Sequence, residues 1–243
     1  MTTSTFFPPS HVRRFRDRHQ AGRLLAGALD HLAGPNTIVL GLPRGGVPVA
    51  SEVARALHAP LDVLVVRKLG VPFQSEFGMG AIGEGGVRVL NEDTVRQIGI
   101  TEHDIEAVEA RDRIEVERRA ARYRNGRAFP SLAGKVVVVV DDGVATGGTA
   151  RAALQLVKAH GAQRVVLAVP VGSADAIDDL SAIADDVITL LRPPDFGAVG
   201  YWYEDFLQTT DEEVLALLAG SDARVGSRVG LTDSEVGVQD GAG

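Results

Sequence analysis

Asp141 and Asp142 directly follow five consecutive valines, 136–140. They open the string Asp-Asp-Gly-Val-Ala-Thr-Gly-Gly-Thr at 141–149, which leads into a stretch rich in alanine and leucine. Paired carboxylates at the end of a buried strand can accept hydrogen bonds from two vicinal hydroxyls, or from water on a magnesium ion. Gly147 and Gly148 let a backbone approach a ligand closely. The amides of residues 145–149, with the hydroxyls of Thr146 and Thr149, converge on the amino terminus of the next helix, which makes a cradle for a phosphate monoester. A Gly/Asp/Thr turn alone also serves as ordinary helix capping; the order strand, acid pair, small-residue turn, helix is what points to a ligand. No lysine follows the glycines, so this is not a Walker P-loop.

Such residues need a rigid support, and the surrounding chain has the periodicity of one. Short β-branched runs fall at residues 37–40, 62–66, 136–140, 164–169 and 186–190, with helical stretches near 47–58, 148–160 and 174–184. Strands apolar on both faces and separated by helices predict an α/β fold with a parallel sheet covered on both sides. Ligands of such sheets bind beyond the carboxyl ends of the strands, where the acid pair stands. Ahead of the first strand, Ala21, Leu24, Leu25, Ala28, Leu29 and Leu32 share one helical stripe, with Asp17 and Gln20 at capping-box spacing and Gly34-Pro35 as its stop. Two segments break the rhythm. Residues 69–86 are glycine-rich with little periodicity and read as a long loop with a hairpin around Gly85-Gly86. Residues 101–124 read as a charge-dense helix, solvated but for one packed stripe, with Glu109/Arg113 and Glu115/Arg119 four apart. Residues 221–243 lack a usable period and read as a disordered tail.

The 243 residues are 45% hydrophobic, enough for a buried core. There is no cysteine, which excludes disulfide frameworks, zinc ribbons and thiol nucleophiles, and the six histidines lack metal-ligand spacing. A formal net charge of -7 gives no electrostatic reason to expect a nucleic acid as partner, so any phosphate must be gripped locally. No apolar run approaches the roughly 20 residues of a membrane span, and residues 1–9 lack a basic region followed by an apolar stretch. The expectation is a soluble, cytoplasmic protein.

Over residues 136–149 the chain resembles the ribose-5-phosphate signature of type I phosphoribosyltransferases: an apolar strand, two acidic residues, two variable positions, then a small residue with Thr-Gly-Gly-Thr. The resemblance covers roughly residues 40–190. It implies that family's parallel-sheet fold, with a small hood from the chain ends. It further implies that Asp141 and Asp142 take the ribose hydroxyls of phosphoribosyl pyrophosphate (PRPP), and that Ala145, Thr146, Gly147, Gly148 and Thr149 take its 5-phosphate. Gly-Leu-Pro-Arg-Gly-Gly-Val at 41–47 resembles the family's pyrophosphate loop, which gives Arg44, Gly45 and Gly46 to the diphosphate. Arg67 and Lys68, at the end of the second strand, would add positive charge there, with Lys68 neutralising the leaving group. Taken alone, these two segments are also an ordinary helix-entry turn and a solvated strand end. Residues 69–86 occupy the position of the family's flexible catalytic loop, and Glu76 or Glu84 on it could supply an acid or base. In the hood, Phe196, Tyr201 and Trp202 could stack on a planar base or serve ordinary packing.

The implied organisation is an N-terminal helix and part of the hood at 1–36, a core at 37–191, a second hood segment at 192–220 and the tail. The implied reaction transfers phosphoribosyl from PRPP to a nitrogenous base and releases pyrophosphate. Magnesium would be held mainly by the ligand, with Asp141 and Asp142 reaching it through water. The alternative is a non-catalytic PRPP- or nucleotide-binding regulatory protein of the same fold. Family members acting on 6-oxopurines usually carry an acid where this chain has Ala145, which counts against a hypoxanthine-guanine enzyme and leaves the acceptor open. The resemblance also implies a homodimer, with no membrane or nucleic-acid partner.

Overall fold

The structure, a computed structural model, describes residues 4–5, 14–72 and 74–232, and for 4–5, 74–77 and 222–232 the backbone alone. Among the described residues the main sheet has six parallel strands: β1 (Ser4–Thr5), β2 (Thr37–Gly41), β3 (Leu61–Val63), β7 (Val136–Val140), β8 (Arg164–Val171) and β9 (Asp186–Leu191). Their spatial order is β1-β9-β8-β7-β2-β3. Helices α1 (Arg18–Leu29), α2 (Gly46–Leu57), α5 (Gly148–Ala159), α6 (Ala174–Ser181) and α7 (Asp211–Thr232) flank it.

The alternation of side chains along a strand explains how one valine run serves two layers. Val138 and Val140 face one core with Leu25 of α1, Val49 and Val53 of α2, and Val214 of α7. Val137 and Val139 face a second core with Ala153 and Val157 of α5 and Leu180 of α6. Each buried valine contributes roughly 1.5 kcal/mol or more relative to exposure. α1 begins at Asp17, whose carboxylate accepts the Gln20 N–H at 2.6 Å. The Gln20 side chain takes the N–H of Arg16, one position ahead of a strict capping box.

Between β3 and β7 the chain builds a second layer: an antiparallel sheet of β4 (Val66–Val71), β5 (Gln74–Gly83) and β6 (Arg88–Leu90), then α3 (Glu92–Ile98) and α4 (Glu102–Arg124). The stretch 69–86 is therefore largely regular sheet rather than loop, with the expected hairpin at Gly85-Gly86 joining β5 to β6. Its glycines mislead because they serve close approach. A Cβ on Gly80 would overlap the Val89 carbonyl oxygen across the ladder, and one on Gly83 would lie 2.8 Å from Leu156 of α5. Leu69, Met79 and Ile82 are fully buried beneath the ribbon. The second strand is also shorter than expected. β3 stops at Val63, where its partner β2 ends at Gly41, so Arg67 and Lys68 belong to β4. α4 buries Ile105, Val108, Asp112, Val116 and Tyr123 along one stripe, as expected. α7 runs to Thr232, so residues 221–232 continue a helix instead of beginning a disordered tail. No proline interrupts them, and extending a formed helix is far easier than nucleating one. Residues 233–243 and the extended start expected at 6–9 lie outside the described residues.

Candidate functional site

The strand order reverses between β2 and β7: from β2 the chain steps outward to β3, then returns to β7 on the other side of β2. The carboxyl ends of two neighbouring strands thus open a crevice between the loop after β2 and the loop after β7. The two loops touch. The Leu42 N–H donates to the Val140 carbonyl at 2.9 Å. A Cβ on Gly46 would lie 2.6 Å from that same oxygen, and one on Gly45 would overlap the Asp142 carboxylate. At Gly46 a side chain would collide with backbone and at Gly45 with the Asp142 carboxylate, so the two glycines bring the Pro-Arg-Gly-Gly turn and the acid pair into one site.

Asp141 accepts the Asp142 N–H on Oδ1 at 2.9 Å. Burial, and then the neighbouring Asp142 charge, push the Asp141 carboxyl well above the usual carboxylate range. Burial also pushes Asp142 up, opposed by the Arg18 guanidinium, whose Nε donates to Asp142 Oδ2 at 2.8 Å. The Tyr203 hydroxyl donates to the Asp142 carbonyl at 2.6 Å, and burial first, then these two carboxylates, raise its pKa well above the ordinary phenol value. Next to the pair, a cavity of about 200 Å³ is lined by Asp141, residues 143–150 and Val199. Gly147 takes the left-handed conformation at φ 75°, and among the described residues no side chain caps α5, so its first-turn amides face this cavity's end of the helix. Ala145, Thr146 and Thr149 stand at the same end and line the cavity. An uncapped helix start with two hydroxyls beside it can hold a phosphate dianion.

The remaining candidates divide. Lys68 lies across the start of α5: a Cβ on Gly148 would sit 2.5 Å from its Nζ, so its ammonium stands at the helix start. Arg67, its neighbour on a strand, points the other way and pairs with buried Asp112 of α4 at 2.8 Å. Arg44 is half-buried in its turn, and its charge reaches Tyr123 and Asp211. Glu84 is not a mobile carboxylate. It is buried, ion-paired with buried Arg124, and accepts the Val65 N–H at 3.1 Å. Glu76 lies on β5 where the backbone alone is described.

The three aromatic candidates do not share a face. Phe196 is buried in the core, Tyr201 is 64% exposed, and the half-buried Trp202 donates its indole N–H to the Phe196 carbonyl. Only Tyr201 and Trp202 belong to the short 3-10 turn Val199–Trp202, which points adjacent side chains to different sides of its axis. Tyr203 reaches the acid pair, and Phe206 stacks on it with the ring centres 5.0 Å apart. Sequence reasoning thus missed Arg18, Val199, Tyr203 and Phe206. Val199 packs on the site floor, where a Cβ on Gly143 would meet it at 2.6 Å. A cation opening a helix some 120 residues before its acidic partner leaves no local signal, although Tyr203 and Phe206 belong to the same aromatic-rich segment as the chosen residues.

For magnesium, the donor set suits a ligand-borne ion. Two adjacent carboxylates stand at the site, and no cluster of three or more His, Cys, Asp or Glu residues that could hold a metal occurs among the described residues. Magnesium characteristically takes one or two carboxylates with waters and substrate phosphates, not an all-protein cage.

Residues 17–204 match the family described as "Phosphoribosyl transferase domain". The chain belongs to that family. It is 56% identical over 207 residues to the Mycobacterium tuberculosis H37Rv protein named "Putative phosphoribosyl transferase Rv0571c", covering 85% of this chain and 47% of that one. The CDC 1551 counterpart, MT0597, matches equally. The chain therefore spans about half the length of these curated relatives. The crystal structure of TT1426 from Thermus thermophilus is 50% identical, with a TM-score of 0.80, covering 85% of this chain and 98% of that one. The residues of the site from 18 to 203 fall wholly inside the matched domain, and Phe206 lies just beyond it.

Proposed function

We propose that this phosphoribosyl transferase domain binds PRPP with magnesium and transfers its phosphoribosyl group to a nitrogenous base. The observation that carries the reading is the meeting, at one topological switch point, of an acid pair, a glycine turn packed directly against it, and an uncapped helix start reached by an ammonium. Each sub-site suits one part of the substrate. Asp142 and Asp141 accept the ribose 2- and 3-hydroxyls. The amides of residues 145–149, the Thr146 and Thr149 hydroxyls and Lys68 hold the 5-phosphate. Arg44 and the 45–46 amides receive the diphosphate. When bound, magnesium neutralises the diphosphate and makes it a better leaving group.

With both ends of the substrate fixed, the anomeric carbon is held against the hood side of the crevice, where Val199 and Tyr203 stand. The bond from that carbon to the diphosphate oxygen breaks, a ring nitrogen of the acceptor forms the new one, and the proton that nitrogen carried passes to the departing pyrophosphate or to water. No protein nucleophile is needed, because positioning and electrostatics supply the rate. We place the reaction in the cytoplasm and assign it to a homodimer. Among the described residues no helix is long and apolar enough to cross a membrane. The test is pyrophosphate release from magnesium-PRPP across a panel of purine and pyrimidine bases. Release that depends on one acceptor class supports the transferase. PRPP binding with no release for any base favours a regulatory binder.

A further inference from the structure

Arg18 has no part in the reaction as written, yet it ties three elements to the acid pair. It is the first residue of α1, immediately after the N-cap Asp17. Its Nε donates to Asp142 Oδ2 at 2.8 Å, and its terminal nitrogen donates to the Leu207 carbonyl at 2.7 Å. The guanidinium carbon stands 3.9 Å from the centre of the Phe206 ring and 6.0 Å from that of Tyr203. The side chains of Arg18 and Asp142 are only 11% and 14% exposed. Tyr203, from the same hood segment, grips the Asp142 carbonyl. The hood therefore holds Asp142 twice, at its carboxylate and at its main chain.

An arginine fixed at two edges and one face is a preorganised donor, with little freedom left to lose. Its hydrogen bond to one carboxylate oxygen sets the plane of that carboxylate beside Asp141. Around Asp142 the charged and titratable groups are Arg18 from α1, Asp141 from the β7 loop and Tyr203 from the hood. We propose that Arg18 is the positioning residue of the diol site: by holding Asp142 Oδ2 it presents Oδ1 to the ribose hydroxyls, and it makes α1 and residues 203–207 part of ribose recognition. This rests on the reading above that Asp142 takes the ribose diol.

The experiment is calorimetric titration of wild type, Arg18→Met and Arg18→Lys with ribose 5-phosphate and with its 2,3-dideoxy analogue. Wild type should prefer the diol-bearing probe. Arg18→Met should lose on the order of tenfold or more of its affinity for ribose 5-phosphate and keep its affinity for the dideoxy analogue. Arg18→Lys retains the charge but cannot fork between Asp142 and the Leu207 carbonyl, so it should fall between the two. Unchanged affinity of Arg18→Met for ribose 5-phosphate overturns the proposal, as do equal losses for both probes, which would mean a merely structural role. If Arg18→Met does not fold, Arg18→Lys decides: wild-type affinity for ribose 5-phosphate overturns the proposal. A wild type without preference for the diol fails the reading of Asp142 itself, which is a different result from a failure at Arg18.

Discussion

At the scale of single residues, the acid pair and the glycine turn could be picked out because they stand in consecutive positions, 141–149. Asp142→Asn removes a charge-assisted acceptor and should weaken PRPP binding by roughly 1.5–3 kcal/mol, measured by calorimetry with magnesium. Lys68 was legible as a cation, but its place beside the start of α5 was not, since pointing depends on the register of β4 over α5. Lys68→Met should weaken ribose 5-phosphate on the order of tenfold and leave magnesium-pyrophosphate binding unchanged. A loss confined to pyrophosphate would return Lys68 to the diphosphate. Glu84 was misread because a carboxylate beside two glycines has the look of an exposed turn, whereas its partner Arg124 is 40 residues away. Removing one member of a buried ion pair costs about 3–5 kcal/mol, so Glu84→Gln should lower unfolding free energy by about that amount in urea titration. A catalytic role would instead appear as lost turnover at unchanged stability.

At the scale of elements, strand and helix positions followed from β-branched runs and helical stripes, because burial on two faces imposes those patterns directly. The ribbon β4–β5–β6 escaped because its glycines, required where β5 passes close to Val89 and Leu156, dilute the alternation that marks a strand. Its ladder implies protection: amides of residues 79–82 should exchange slowly in the ligand-free protein, and fast exchange would mean that the ribbon opens. The junction of α4 and α7 offers a pH test. The Tyr123 hydroxyl donates to Asp211 at 2.6 Å. Burial first, then that hydrogen bond and the Asp211 charge, raise the phenol from 10.0 to about 12. A group whose folded pKa is raised binds its proton more tightly when folded. Its contribution is complete below pH 10 and is lost as pH rises toward about 12. Stability should therefore fall across that window, and Tyr123→Phe should flatten the fall. Identical slopes would remove Tyr123 from the α4–α7 junction's energetics.

At the scale of the whole molecule, the site is a consequence of topology. The chain leaves β2 in one direction and comes back to β7 in the other, and the crevice this creates brings together residues 45, 46, 141 and 142 from loops nearly 100 residues apart. That the fold was α/β could be read from the sequence; that α1 and residues 203–207 would close on the same carboxylate could not, because long-range pairing leaves no periodic trace. Light scattering tests the proposed homodimer, with a monomeric mass contradicting it. The most direct measurement of PRPP recognition is titration of magnesium-PRPP into wild type and into Thr146→Val, with magnesium-pyrophosphate as the control ligand. Saturable PRPP binding by wild type, weakened in Thr146→Val with pyrophosphate binding unaltered, is the expected result; absence of PRPP binding by wild type would contradict the account.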